Sequence, residues 1–215
     1  MPSLRSHLLP ATLVAVLALA AALFVATTLN RSEPPAWAPT RRAPEDVVPG
    51  RVVAARFTVD ATDPEEWRRF DFSRGTVVEE PGERGWDLAF RRHEILVNAS
   101  PAFAGRGGAQ VITGVPFDSL ASVPTSGYRG TLVGRDTTSP AFEEWYDYGF
   151  LTHVLEPRPL VYAIRTAEGG YAKLEILSYY CPGARSGCLT FRYAYRRGGS
   201  PRLVAERESA GSARR

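Results

Sequence analysis

The first thing this sequence lacks is a catalytic signature. It has no Gly-x-Ser-x-Gly elbow, no His-Glu-x-x-His zinc motif and no P-loop. Among the carboxylates near aromatic residues, the candidates for a catalytic role are Asp87 and the adjacent pair Glu143 and Glu144. A single acid such as Asp87 more often accepts hydrogen bonds from backbone groups than acts in catalysis, and adjacent acids on a strand point to opposite faces. We therefore expect no enzyme activity.

A strong charge imbalance is also missing. The chain has 26 basic and 23 acidic residues, which leaves a formal net charge of +3. This excess is divided evenly among residues 1–49, 50–205 and 206–215, so the central region is close to neutral. Nucleic-acid-binding domains carry a basic patch or stripe. We therefore expect no nucleic-acid partner.

Cysteine is scarce as well, with only Cys181 and Cys188. They flank a turn-rich loop between two strand-like runs, where a disulfide would close a hairpin tip and contribute about 2–3 kcal/mol. Two buried free thiols are the alternative. A zinc site is disfavoured, because no histidine or further cysteine stands nearby. Disulfides persist in exported proteins, so we predict this bond together with export.

The only long apolar run lies near the N-terminus, from Leu8 to Leu29, with Arg5 and His7 before it. Two interpretations stay open. About 20 apolar residues suffice for a membrane-spanning helix, whereas a signal peptide has a shorter apolar core and a small-residue cleavage site. The length favours an uncleaved anchor, and both interpretations place the remainder outside the cytoplasm. No cysteine near the end of the run is available for lipidation.

The rest of the chain divides by composition. Residues 30–49 contain five prolines among polar residues, which predicts an extended, solvated tether. Residues 206–215 are small and polar, which predicts a disordered tail. Between them, residues 50–205 show short β-branched or alternating runs, the clearest being Tyr171 to Tyr180 and Leu189 to Tyr195. We predict a single all-β domain, an antiparallel sandwich or barrel-like fold, after a transmembrane or signal helix.

Several of these runs resemble, in the same order, the motifs of the HmuY family. The matching segments are Thr58-Val59-Asp60-Ala61, Trp67-x-x-Phe70, Trp86 to Arg92, Ile95 to Asn98, Gly107-Gly108-Ala109, Trp145-Tyr146, Val161 to Ala167, Gly170 to Ile176, Ser178 to Tyr180 and Thr190 to Tyr193. The sole lysine, Lys173, falls inside the family's Tyr-Ala-Lys run. The resemblance covers about residues 51 to 197. It implies an exported all-β domain, usually lipid-anchored, whose best-known members capture haem through two axial side chains.

Candidate haem ligands can be chosen from the residues present. Imidazole is a good axial ligand for haem iron, and His153 and His93 are the two histidines of the domain. Met1 is the only methionine, so the ligand pairs that remain are His–His, His–Tyr or Tyr-based. We predict that His153 and His93 are the iron ligands, with Tyr146 and Tyr148 of the neighbouring aromatic run in the same site. No metal other than haem iron is expected.

The expected function is therefore haem or porphyrin binding in the periplasm or at the cell surface. The partners would be haem or a haem-carrying protein, an outer-membrane receptor, and the membrane through the N-terminal segment. A second hypothesis stays open, in which the same scaffold is a cofactor-free module that binds a protein or a glycan. The aromatic residues between Trp145 and Phe150 motivate it, since aromatic side chains anchor interfaces.

Overall fold

The computed structural model describes residues 5–29, 33–150 and 152–204, and the chain divides into two units between Glu33 and Pro34. The first unit is a helix, α1, over Arg5–Leu29. Among the described residues, no helix combines the length and the apolar character needed to cross a bilayer. The predicted disordered tail and the first tether residues, 30–32, lie outside the described residues.

The second unit is all-β and its strands pair antiparallel, as predicted. The strands are β1 (Val52–Asp60), β2 (Arg68–Asp71), β3 (Thr76–Val78), β4 (Leu88–Arg91), β5 (Glu94–Val97), β6 (Gly108–Ile112), β7 (Tyr146–Gly149), β8 (Val154–Pro157), β9 (Val161–Arg165), β10 (Tyr171–Cys181) and β11 (Arg185–Arg196). Sheet A has the order β1-β11-β10-β9-β6 and sheet B the order β3-β2-β4-β5, while β7 and β8 form a separate hairpin. Both orders are linear, so the fold is a sandwich rather than a closed barrel.

The two sheets face each other through aromatic side chains. Phe57 and Phe191 come from sheet A, and Phe70 and Phe90 come from sheet B. The ring centroid of Phe70 lies 4.9 Å from that of Phe57 and 5.2 Å from that of Phe191. Phe90 stacks on Phe191 at 5.6 Å. Aromatic pairs at these separations contribute about 0.5–1.5 kcal/mol beyond their buried area, so this cluster holds the two layers together.

The long hairpin of β10 and β11 occupies the middle of sheet A. Its predicted inward row is confirmed, because all four of its members are buried: Leu189, Phe191, Tyr193 and Tyr195. The predicted disulfide is confirmed as well. Cys181 and Cys188 are bonded, with their Cα atoms 4.9 Å apart, and they close the tip of this hairpin.

The opposite face of the long hairpin is also covered, although alternation is typical of a strand buried on one face. A smaller apolar cluster lies there. It is formed by Phe117, from the loop after β6, and by residues of the sheet that include Tyr171. Lys173 is 4% exposed, and its Nζ donates to the carbonyl oxygens of Phe117 (2.6 Å) and Leu120 (2.7 Å). The sole lysine therefore fastens this long loop to the sheet.

Asp87, which we expected to be a structural acceptor, joins the two sheets. Its Oδ2 accepts a hydrogen bond from the backbone N–H of Phe72 (2.9 Å), and its Oδ1 accepts one from Ala167 (2.7 Å). Burial, reinforced by the negative charge of Asp71, raises the pKa of Asp87 to about 7. This carboxyl group thus belongs to the frame of the sandwich.

Most of the segment predicted as a tether runs along the sandwich and is hydrogen-bonded to it, although most of its residues are exposed. We call residues 34–48 the strap. The backbone N–H of Trp37 donates to the carbonyl oxygen of Tyr180 (3.1 Å), and that of Val47 donates to Ser73 (2.8 Å). Val47 is buried in the main core. Prolines do keep a chain extended, but an extended backbone can also pair with a neighbouring strand. Composition does not distinguish a free tether from a segment that is bound to the sandwich.

Candidate functional site

The candidate site lies on the short hairpin formed by β7 and β8. Strand β7 ends at Gly149, and β8 begins at Val154. A tight loop joins them, because the carbonyl oxygen of Gly149 accepts hydrogen bonds from the backbone N–H of Thr152 (3.1 Å) and of His153 (2.7 Å). His153 has a φ of 53°, in the left-handed region that histidine tolerates better than most side chains. A Cβ atom on Gly149 would lie 2.0 Å from Thr152 Oγ1, so any larger residue there would force the Thr152 side chain to move.

Two hydrogen bonds fix the base of this hairpin to the sandwich, and a third, between Arg158 and Trp145, closes the hairpin itself. The backbone N–H of Leu155 donates to the Tyr180 hydroxyl (2.8 Å), and that of Arg158 donates to the carbonyl oxygen of Trp145 (2.9 Å). Trp145 is 1% exposed and donates from Nε1 to the carbonyl oxygen of His93 (2.9 Å). The buried tryptophan therefore connects the hairpin to the turn between β4 and β5 that carries His93.

Four side chains follow one another along this surface, and we call them the His–Tyr row: His93, Tyr146, Tyr148 and His153. The ring centroids of His93 and Tyr146 lie 5.9 Å apart, edge to face. The Tyr148 hydroxyl and His153 Nδ1 lie 2.5 Å apart and share a hydrogen bond. Tyr146 and Tyr148 are two residues apart on β7, so both occupy the same face, about 6.8 Å apart along the strand.

All four residues predicted from the sequence therefore lie on one surface of the fold. Each imidazole contacts its own tyrosine, and the two tyrosines lie between the histidines, so the structure does not set His93 against His153. Both histidines are solvent-exposed, and Tyr148 is 52% exposed. Their role as iron ligands stays a prediction.

A cleft of about 160 Å³ opens beside His93, with Phe142 and Ser139 among its walls. Ser139 Oγ and Thr131 Oγ1 are hydrogen-bonded to each other at 2.7 Å, and each lies 3.0 Å from the backbone N–H of Val97. Sequence reasoning missed these hydroxyl residues. They come from the long loop before β7, which has no alternation and contains no recognisable motif near His93.

Two arginines beside the row, Arg158 and Arg91, already have carboxylate partners. Arg158 lies 3.1 Å from Glu144 and 3.8 Å from Asp147. Arg91 lies 2.7 Å from Glu94. Exposed ion pairs of this kind contribute only about 0–1 kcal/mol. A carboxylate on a ligand could therefore exchange with them at little cost.

The donor chemistry of the row fits a haem iron, because histidine nitrogen and tyrosine oxygen are both established ligands of haem. The hydrogen bond with Tyr148 engages Nδ1 of His153 and leaves Nε2 as the nitrogen that can bind a metal. The cleft beside His93, at about 160 Å³, is smaller than ordinary ligand pockets of about 300–1,000 Å³. The cleft alone cannot enclose a porphyrin.

Fold and site together define a β-sandwich whose short hairpin carries exposed histidine and tyrosine side chains. The chain belongs to the HmuY family, whose model, described as HmuY protein, matches residues 63–193. This match confirms the resemblance found in the sequence. A comparison with curated proteins yields no match.

Solved structures of similar fold come from several bacteria. The chain is similar to the apo HmuY analog TFO of Tannerella forsythia, with 15% identity, a TM-score of 0.56, and coverage of 69% of this chain and 98% of that one. It is similar to a candidate lipoprotein of Bacteroides fragilis, with 17% identity, a TM-score of 0.54, and coverage of 65% and 88%. It is also similar to a candidate HmuY-like heme binding protein of Bacteroides vulgatus, with 18% identity, a TM-score of 0.53, and coverage of 65% and 90%. At these identities the likeness establishes the fold.

Proposed function

We propose that this protein binds haem or a related porphyrin outside the cytoplasmic membrane, as a binding protein rather than an enzyme. The His–Tyr row carries the proposal. His93 and His153 are far apart in the sequence, yet both contact tyrosines of the same short strand, β7. Membership of the HmuY family supports it, as does the similar B. vulgatus protein, a candidate heme binding protein.

We assign His153 as the first iron ligand. A hydrogen bond on one ring nitrogen fixes the tautomer and orientation of a metal-binding histidine. Tyr148 would do this by accepting a hydrogen bond from the Nδ1–H group of His153, which leaves Nε2 for the metal. Tyr148 is then a positioning residue rather than a ligand. The haem itself supplies the iron and the porphyrin absorption that reports binding.

We assign the second iron position to His93 or Tyr146, which form the other pair of the row. The two histidines are separated in this conformation, so ligation by both would require the hairpin to move. Ligation by His153 alone would not. The spin state distinguishes the cases, because two strong axial ligands give a low-spin iron and a single ligand gives a high-spin iron.

The test is a titration of the full chain with hemin, followed by the Soret band. The wild type should give a shifted band with a saturable end point, and His153→Ala should weaken binding by tenfold or more. His7→Ala, which changes the third histidine of the chain, is the matched control and should behave as the wild type. An unshifted wild-type spectrum would remove the proposal, and wild-type binding by His153→Ala would remove the assignment of that ligand.

A second candidate function is favoured by the exposed tip of the hairpin. Phe150 is 81% exposed and Tyr148 is 52% exposed, and large aromatic side chains anchor protein and glycan interfaces. The domain would then be a cofactor-free binding module. Binding to an immobilised glycan or protein that Phe150→Ala abolishes, together with no response to hemin, would select this function.

We place the protein in the periplasm or at the cell surface, held at the membrane by its N-terminal segment. The Cys181–Cys188 disulfide supports export, and the similar B. fragilis protein is a candidate lipoprotein. A haem-carrying protein would supply the ligand and an outer-membrane receptor would receive it. Cell fractionation tests the location: the full chain should sediment with membranes, and recovery from the cytosol with both thiols reduced would contradict it.

A further inference from the structure

A second pocket, of about 230 Å³, lies under the strap and is separate from the His–Tyr row. It is lined by Tyr193, which pairs with Leu174 on β10, whereas the short hairpin contacts Tyr180 of the same strand. Six residues along a strand correspond to about 20 Å. The two regions are therefore at different ends of the sandwich.

The wall of this pocket is built by the strap and by the turn between β2 and β3. Thr76 Oγ1 donates to the carbonyl oxygen of Arg42 (2.9 Å), and the backbone N–H of Glu45 donates to that of Arg74 (3.2 Å). These bonds hold the backbone of residues 42–45 beside the turn. Hydrogen bonds within the fold therefore hold the walls of this pocket in place.

The proton of the buried Tyr193 hydroxyl has no acceptor among the described residues. Its residue is 1% exposed and lines the pocket. Burial raises the pKa of Tyr193, while the charge of the nearby Arg42 guanidinium and its side-chain hydrogen bonding to the hydroxyl lower it, so Arg42 faces the hydroxyl as a donor. A buried hydroxyl proton that makes no bond costs about 1–3 kcal/mol, which an acceptor atom of a ligand would recover.

Gly75 lies close to that hydroxyl. It has a φ of +62°, and an added Cβ would lie 3.3 Å from the Tyr193 hydroxyl oxygen and 3.7 Å from Arg42 Nη1. The hydroxyl and the guanidinium therefore lie on the same side of the turn that carries Gly75, where both can act as donors to one ligand.

Two guanidinium groups at the pocket have no carboxylate partner. Arg42, Arg51 and Arg74 line it, together with Glu45 and Asp46. Arg74 lies 3.7 Å from Asp71, but no carboxylate within the described residues is at salt-bridge distance from Arg42 or Arg51. With the Arg74–Asp71 pair counted, positive and negative charges balance, and the guanidinium groups of Arg42 and Arg51 are available for a ligand.

The geometry points to a binding site for a phosphoryl group, held by Arg42, Arg51 and the hydroxyl of Tyr193. The donors come from the strap, from the start of β1 and from β11, so they approach from different directions. A tetrahedral oxyanion offers acceptors in several directions, whereas a carboxylate offers them in one plane, and guanidinium groups bind phosphate oxygens well. The phosphoryl group could be free phosphate or the headgroup of a phosphatidic acid lipid.

The sharpest test is Tyr193→Phe in the full chain, because it removes only the unpartnered hydroxyl. Without phosphate its melting temperature should be at least that of the wild type, because the variant no longer buries a hydroxyl proton that makes no bond. Calorimetric titration with sodium phosphate at constant ionic strength should show affinity about tenfold weaker than the wild type. Tyr162→Phe is the matched control, since that hydroxyl is also buried and unpartnered but lies outside the pocket, and it should bind phosphate normally.

A vesicle arm distinguishes the two sources of the phosphoryl group. Phosphatidylcholine vesicles with and without phosphatidic acid are compared for the wild type and Tyr193→Phe. Retention that depends on phosphatidic acid and is reduced by Tyr193→Phe, without a response to free phosphate, would assign the lipid headgroup. If the wild type responds to neither probe, or if Tyr193→Phe binds as tightly as the wild type, the site does not exist.

Discussion

The two hairpins of this molecule share a pairing mode but differ in what covers them. Both are antiparallel, and both turn through a left-handed residue, Ala184 in the long hairpin and His153 in the short one. The long hairpin is buried on both faces and closed by a disulfide. The short hairpin has two four-residue strands, and its tip leaves Phe150 81% exposed.

This difference indicates which hairpin stabilises the fold and which one is accessible to a ligand. Burial of apolar surface contributes about 25 cal/mol per Å², so a hairpin covered on both faces holds the domain together. A hairpin fixed only at its base gives up that contribution, and its polar side chains stay accessible to a ligand. Changes in the long hairpin should therefore affect stability first, and changes in the short hairpin should affect binding first.

The largest expected effect is that of Phe191→Ala in the long hairpin. The ring of Phe191 contacts those of Phe57, Phe70 and Phe90, so its loss should lower the free energy of unfolding by about 3–5 kcal/mol. Phe150→Ala in the short hairpin is the matched control and should change it by less than about 0.5 kcal/mol. Urea denaturation measures both, and equal losses would break the comparison.

The second effect concerns Asp87, which ties sheet B to the turn that leads into the long hairpin. Burial raises its pKa from 3.8 to about 7 in the folded state, so between these values the folded protein binds more protons than the unfolded chain. The free energy of unfolding should therefore fall as pH rises from about 4 to 7, by at most about 1.4 kcal/mol per pH unit.

Asp87→Asn is the control for this pH dependence, since it keeps the shape of the side chain and removes its titration. Its urea-denaturation curves should give a flatter profile, with a smaller slope of the same sign left by Asp71, whose pKa burial also raises. A wild-type stability that rises with pH over this window would contradict the role assigned to Asp87.

The third effect is that of the disulfide at the tip of the long hairpin. Replacing both Cys181 and Cys188 with alanine should lower the free energy of unfolding by about 2.5 kcal/mol, because the unfolded chain loses a closed loop. The far-ultraviolet spectrum should stay that of a β protein. A double variant as stable as the wild type would show that the hairpin does not need its covalent closure.

The smallest effect on stability is expected for Tyr148→Phe in the short hairpin. The variant loses the hydrogen bond to His153, which is exposed and contributes at most about 1 kcal/mol. Hemin affinity should fall several-fold, because His153 loses the group that orients its ring. A Tyr148→Phe variant that binds hemin as tightly as the wild type would contradict the positioning role of Tyr148.

Much of the frame could be predicted from the sequence. Alternation identified the inward row around Phe191, and the turn residues between Cys181 and Cys188 indicated the disulfide. The covered outer face could not be predicted, because it depends on a loop without periodicity that reaches back to Lys173. Composition also predicted a solvated tether, although Val47 within it is part of the core.

The candidate site was predicted only in part. Its four residues were chosen by side-chain chemistry, and the fold places them on one surface. Their pairing as His93 with Tyr146 and Tyr148 with His153 depends on the register of the short hairpin and on the position of Trp145, which local sequence does not encode. The pocket under the strap could not be predicted from the sequence for the same reason, because Arg42 and Tyr193 come close together only in the folded chain.

The strap also determines how the sandwich would respond to mechanical load. A pull on the chain ahead of Pro34 would act first on the hydrogen bond between Ser178 and the carbonyl oxygen of Pro35, then on those made by the backbone N–H groups of Trp37, Thr40 and Glu45, and last on that between Val47 and Ser73. These contacts are arranged in series, so they would peel one after another, each at a small force, before any tension reached β1. The strap would therefore detach before any load reached the aromatic core between the sheets, and it could bind again once the load is released.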